Sequence, residues 1–157
     1  MLVRLIENWK RNLDQSKIVG IIFMDLSKAF DCIPHDILIA KLDAYGVNLD
    51  ALEYIYSYLK KRRKSVKINS SMSPFLEILS GVPQGSILGP ILFNIFLNDL
   101  FLFIKNAKLH NYADDNSLEV YAEEIDELVQ ILEIEANNAV EWLEKNMMIP
   151  NPHNSKQ

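Results

Sequence analysis

The sequence predicts an α+β fold in which helices flank a small antiparallel sheet, and three observations carry that expectation. Amphipathic helical periodicity opens and closes the chain, over residues 1–14 and 123–146. The uncharged run Ile18-Val19-Gly20-Ile21-Ile22-Phe23-Met24 has the length and β-branched content of a strand buried on both faces. Two mildly apolar runs, 107–112 and 117–121, enclose Asn111-Tyr112-Ala113-Asp114-Asp115-Asn116. Asp and Asn favour tight turns over strand interiors, so this stretch reads as a hairpin with adjacent carboxylates at its tip.

In chain order, Leu2, Leu5, Ile6, Trp9 and Leu13 repeat at three and four and define the first helix. The strand 18–24 follows and ends in Asp25, after which Asp25 to Asp31 leaves the sheet. Pro34 suits the first turn of a helix to about Tyr45, and Gly46 ends it. A helix from about Leu49 to Lys60 buries Leu52, Ile55, Tyr56 and Leu59. Residues 64–69 and 75–80 read as short strands around a turn at 70–74. The loop Gly81-Val82-Pro83-Gln84-Gly85-Ser86 then opens an apolar helix reaching Ile104. The last helix places Ile125, Leu128, Val129, Leu132, Ala136, Val140 and Leu143 on its inner face.

With 157 residues, 49% apolar and 24% charged, the chain is one domain's worth of foldable sequence, without repeats or low-complexity tracts. A single cysteine, Cys32, excludes a disulfide framework, fits a reducing compartment and reads as a buried or half-buried apolar residue. The charged N-terminus lacks the apolar core of a signal peptide. The greasy stretch 87–104 is broken by Gly89, Pro90, Asn94, Asn98 and Asp99, so a core helix is expected rather than a membrane span, and with it an intracellular location. The net charge of −5 has the wrong sign for a free-standing nucleic-acid binder. Its distribution is uneven: Lys60, Lys61, Arg62, Arg63, Lys64 and Lys67 form a basic cluster, while residues 119–144 carry nine acids and no Lys or Arg.

Side chains alternate along an extended chain, so only one of Asp114 and Asp115 can point squarely at a given site. Asp25, at the end of the apolar strand, is a further carboxylate source. Carboxylates gathered at strand ends are hard oxygen ligands that hold Mg²⁺ when phosphate oxygens complete the shell. The arrangement suggests two-metal phosphoryl transfer.

Three motifs follow one another: Phe23-Met24-Asp25-Leu26-Ser27-Lys28-Ala29-Phe30-Asp31, then Gly81-Val82-Pro83-Gln84-Gly85-Ser86-Ile87-Leu88-Gly89-Pro90-Ile91-Leu92-Phe93, then Tyr112-Ala113-Asp114-Asp115. In order and spacing they resemble the palm of a reverse transcriptase of the non-LTR retrotransposon, LINE-like kind, over residues 1–157. The resemblance implies an antiparallel sheet in a split βαβ, ferredoxin-like arrangement backed by helices. It implies RNA-directed DNA polymerase activity on an RNA template, a DNA primer and deoxynucleoside triphosphates. Two Mg²⁺ (or Mn²⁺) ions would be shared by Asp25 and Asp114, with Asp115 as a weaker third ligand. Phe30 would be an aromatic gate beside the sugar C2′, while Leu26, Gln84 and Gly85 would lie against the incoming nucleotide. Lys61, Arg62 and Arg63 are candidates for contact with nucleic-acid phosphates, and Lys28 and Asp31 match the first motif without a catalytic role.

The family's palm follows finger segments that hold the triphosphate and precedes a thumb that grips the duplex. This chain reads as starting after the first, lacking the second and stopping in mid-phrase at 150–157, so a palm fragment of very weak activity is expected. In the region resembling the fourth motif, Asn154 stands where the family has a lysine, with Lys156 two residues further on. The alternative reading is a non-catalytic relic or domesticated palm that binds RNA or a partner protein. Nothing resembles a nucleophile elbow, so hydrolase chemistry is not supported.

Overall fold

The computed structural model describes residues 2–26, 29–60, 62–112 and 115–148. The chain begins with α1 (Leu2–Asp14), β1 (Ile18–Asp25), α2 (Ala29–Cys32), α3 (His35–Ala44) and α4 (Leu49–Leu59). Four short strands follow, β2 (Arg63–Lys64), β3 (Lys67–Ile68), β4 (Ser71–Met72) and β5 (Leu76–Glu77). It closes with α5 (Leu88–Leu97), α6 (Leu100–Phe103), β6 (Lys108–Tyr112), β7 (Asp115–Ala122) and α7 (Ile125–Lys145). These are helices with antiparallel sheets, the α+β class expected. They group into two compact units, Met1–Ser27 with Asn98–Gln157, and Lys28–Leu97.

The first unit is built on a sheet of order β1-β7-β6, antiparallel throughout. Val120, Ala122 and Leu128 form a buried cluster with Ile18, Ala107, Ile131 and Leu132 packed against it, which joins one sheet face to α7. Gly20 permits that closeness, because a Cβ there would lie 2.8 Å from Leu132 Cδ1 and 3.2 Å from Leu128 Cδ1. β1 is an edge strand, and this corrects the expectation of burial on both faces: Ile18 to Ile22 and Met24 are half-buried, and Phe23 is 76% exposed.

The buried side of α7 also differs from the expected one. Leu128, Glu135, Ala139, Trp142 and Leu143 are buried, whereas Ile125, Val129 and Val140 are exposed. The reason lies in two polar anchors. The Glu135 carboxylate accepts from the backbone N–H of Asn106 at 2.7 Å and of Lys105 at 3.2 Å, and from the Asn106 side-chain amide at 2.9 Å. The Trp142 indole N–H donates to Asp99 Oδ1 at 2.8 Å. These bonds roll the helix so that a carboxylate and an indole face inward, and they tie down the segment leading into β6. The single helix expected over 87–104 ends at Leu97 and α6 restarts at Leu100, since Asn98 and Asp99 offer side chains that compete with helical hydrogen bonding.

In the second unit α3 packs against α4 and α5. Asn48 caps α4 by accepting from the Ala51 N–H at 2.9 Å. Pro34 precedes α3, and Gly46, at φ +84°, follows it. α2 was not foreseen, and Cys32 at its end is exposed rather than buried. The hairpin between α4 and the Pro-Gln-Gly loop is present, but its turn comes earlier, at Asn69-Ser70, with Asn69 at φ +54°. It consists of two separate two-residue ladders, Arg63–Lys64 with Leu76–Glu77 and Lys67–Ile68 with Ser71–Met72. Pro74, which has no N–H to give a ladder, lies between them. No helix among the described residues is long and apolar enough to cross a membrane.

Candidate active site

Asp25 closes β1 and is exposed, and its ladder partner is Asp115, the first residue of β7. Asp115 is also paired with Tyr112 at the end of β6. Directly opposite Cα atoms in such a ladder are roughly 4.5–5.5 Å apart. The core fixes this register. Leu118 and Val120 are 0% and 1% exposed, and a slip of one residue would put Ser117 and Glu119 in their place against the apolar cluster. Hence the burial of apolar residues several positions away sets Asp25 opposite Asp115. Asp114 lies outside the described residues, as do Lys61 and Lys156. Among the described residues no group of three or more His, Cys, Asp or Glu is placed to hold a metal ion.

Ser117, Glu119 and Tyr121 alternate along β7 with the core residues Leu118, Val120 and Ala122. Glu119 is fully buried and accepts from His110 Nε2 at 2.9 Å, so this carboxylate is committed to an imidazole two ladder rungs from Asp115. Among the described residues the Ser117 Oγ, Glu119 Oε1 and Tyr121 hydroxyl are buried without hydrogen-bond partners. Burial first, and the neighbouring Glu119 carboxylate second, push the Tyr121 hydroxyl well above the usual phenol range. The two side chains lie near one another without the geometry of a sound hydrogen bond. Leu26, expected at the nucleotide, has a buried side chain, which leaves its backbone as the part able to meet a ligand.

The second unit holds Phe30, Gln84 and Gly85. Phe30 is half-buried and stacks on Phe93, with ring centroids 4.3 Å apart. The loop after β5 is bonded to the same stretch: Val82 N–H donates to Phe30 O at 2.7 Å and Gly81 N–H to Ile33 O at 2.8 Å. Gln84 is exposed, and its Nε2 donates to Asp31 Oδ2 at 3.1 Å. Gly85 takes φ +78° with no atom within 4 Å of where a Cβ would stand. Ser86 Oγ accepts from Gly89 N–H at 2.9 Å and so caps the start of α5. Asp31 therefore has a structural partner in Gln84 and a distant ion pair with Lys64 at 3.8 Å.

Of the basic cluster, Arg63 is exposed on β2, but Arg62 is half-buried. Its Nε donates to Leu59 O at 2.9 Å and its Nη2 to Gly81 O at 2.6 Å. Burial lowers its pKa, with the nearby Tyr58 acting in the opposite sense. Sequence reasoning missed this bond because nothing local in Lys60 to Lys64 separates one arginine from the next. It missed Glu135 because an acid on an apolar helix face has its partners about thirty residues away.

The model of the family described as reverse transcriptase (RNA-dependent DNA polymerase) matches residues 3–154. Similar curated proteins include a "Probable RNA-directed DNA polymerase from transposon BS" of Drosophila melanogaster, 34% identical over 128 residues, which cover 73% of this chain and 13% of that protein. The RNA-directed DNA polymerase from mobile element jockey of Drosophila funebris is 30% identical over 141 residues, 83% of this chain and 15% of the relative. A retrovirus-related Pol polyprotein from the type-1 retrotransposable element R2 of Popillia japonica is 28% identical over 86 residues, 55% of this chain and 14% of that polyprotein. The chain thus spans about an eighth to a seventh of the length of these relatives. With its family match extending over residues 3–154, the chain belongs to the reverse transcriptase family, of the non-LTR retrotransposon kind.

Proposed function

We propose that residues 1–157 are the palm of an RNA-directed DNA polymerase, its sheet and helices following the split βαβ plan. The reaction joins a primer 3′-oxygen to the α-phosphorus of a deoxynucleoside triphosphate and releases diphosphate, with an RNA strand as template. The observation that carries this reading is the register that sets Asp25 opposite Asp115, at the end of the β6–β7 ladder where Asp115 also pairs with Tyr112. Cross-strand partners share one face of a sheet, so two carboxylate-bearing positions meet there. Hard oxygen donors beside a solvent-exposed strand end fit divalent Mg²⁺ or Mn²⁺. Asp25, Asp114 and Asp115 would hold two such ions, which when bound supply Lewis-acid activation of the attacking oxygen and charge neutralisation at the leaving one.

The remaining residues bind and orient. Phe30 offers a half-exposed ring to a deoxyribose, Gln84 an exposed amide, and Gly85 an open backbone position that a ligand can approach closely. In the first unit, Leu26 offers its backbone. Arg63 and Lys61 are the basic positions offered to template or primer phosphates, and Arg62 is left to the fold.

The test is single-nucleotide addition to a DNA primer on an RNA template with Mg²⁺. We expect slow addition by the wild-type chain, reduced at least about a hundredfold by Asp25→Asn and by Asp115→Asn. Addition that survives both substitutions unchanged contradicts the assignment.

A further inference from the structure

His35 Nε2 lies 2.8 Å from the Gly81 carbonyl oxygen, and Arg62 Nη2 lies 2.6 Å from the same atom. A carbonyl has two lone pairs and no proton, so both nitrogens donate, and His35 is held in the tautomer with its proton on Nε2. His35 is 5% exposed at the start of α3, and Arg62 is half-buried past the end of α4 with a second bond to Leu59 O. The first residue of α3 and a residue just past α4 thereby grip one loop atom.

The same residue is gripped elsewhere. Gly81 stands at φ +84°, and a Cβ on it would lie 2.6 Å from Asp31 Cα. Its N–H donates to Ile33 O and that of Val82 to Phe30 O. Four hydrogen bonds therefore fix Gly81 and Val82, the residues immediately before Pro83-Gln84-Gly85. Past that clamp the loop is open, with Gln84 exposed and empty space around Gly85.

We infer that Arg62 and His35 are positioning residues: through the Gly81 carbonyl they set the direction in which Gln84 and Gly85 are presented to a nucleotide. This rests on the reading that Gln84 and Gly85 meet the incoming triphosphate. It gives Arg62 work distinct from that of its basic neighbours, and the forked guanidinium suits it, since one side chain reaches two carbonyls at once.

The experiment is residue-resolved amide hydrogen exchange on the whole chain, together with titration of thymidine 5′-triphosphate in Mg²⁺. Arg62→Gln and His35→Leu should each speed exchange of the Gly81 and Val82 amides by about tenfold or more while leaving α3 and α4 protected. His35→Gln, whose amide can take the place of Nε2–H, should restore the loop, and triphosphate affinity should fall about five- to tenfold only in the loosened variants. Asp25→Asn should weaken triphosphate binding with no effect on loop exchange. Unchanged exchange at residues 81 and 82, an equal loss of protection throughout α3 and α4, or a loosened loop with undiminished affinity each overturns the inference. A wild-type chain that binds no triphosphate counts against the nucleotide reading of Gln84 and Gly85, and the exchange rates then decide the clamp alone.

Discussion

Phe30 stacks on Phe93 with planes 20° from parallel, joining the half-buried aromatic of the first motif to a fully buried one in α5. One ring face is thus packed while part of the ring reaches solvent, so Phe30 has a packing role and some surface left over. Phe30→Val should lower stability in urea by about 1–3 kcal/mol, from the lost ring pair and the lost apolar area. If the ring also packs under a deoxyribose, the preference for deoxy- over ribonucleotides should drop about ten- to a hundredfold, read as a ratio of incorporation efficiencies. A variant that loses stability and keeps the wild-type sugar preference assigns Phe30 to the core alone.

Gly81 and Gly85 both have positive φ but differ in what surrounds them. Gly85→Ala adds a methyl group to open space and should cost about 1 kcal/mol, from backbone conformation. Gly81→Ala drives a Cβ against the Asp31 backbone and should cost about 3 kcal/mol or more. Chemical denaturation of the two variants separates them, and equal costs would contradict the tight approach at Gly81.

Glu135→Ala leaves the Lys105 and Asn106 amides without their acceptor. The expected loss is about 2–4 kcal/mol, with faster amide exchange at residues 105 and 106. A loss below about 0.5 kcal/mol would place the carboxylate in solvent rather than in the fold.

Tyr121 gives a pH signature. Its folded pKa is raised above the unfolded value of 10.0, so above about pH 10 the unfolded chain gives up a proton that the folded chain retains. Stability should therefore fall as pH rises through that range, and Tyr121→Phe should lack this part of the decline. The same variant removes a buried hydroxyl without a partner, so at neutral pH it should be neutral or stabilising by up to about 1 kcal/mol. Wild type and variant declining in parallel above pH 10 would contradict the burial of this hydroxyl.

The elements with strong local signals were legible in the sequence: the helical periodicity of α1 and the β-branched run of β1 stand where they were expected, and β6 and β7 flank the expected turn, although Asp115 and Asn116 belong to β7. The pairing of Asp25 with Asp115 could be suspected but not read, because register depends on which residues of β7 meet α7. The roll of α7 was illegible for the same reason. Ile125, Val129 and Val140 fit an apolar stripe as well as Ala139 and Trp142 do, and only the amides of Lys105 and Asn106 decide the matter. Arg62 sits in a run of like charges, so its bond to Gly81, nineteen residues on, leaves no local trace.

The most direct test of the site is the shift in melting temperature with added Mn²⁺ and Mg²⁺ for the wild-type chain, Asp25→Asn and Asp115→Asn. The β1–β7 register places two acidic positions opposite one another, and on the proposed reading a divalent ion held there stabilises the folded state by about 1.4 kcal/mol at ten times its dissociation constant. A concentration-dependent rise is expected in the wild-type chain, lost or strongly reduced in both variants. A metal-induced rise of the same size in all three proteins would show that the ion binds elsewhere and would contradict the assignment of Asp25 and Asp115.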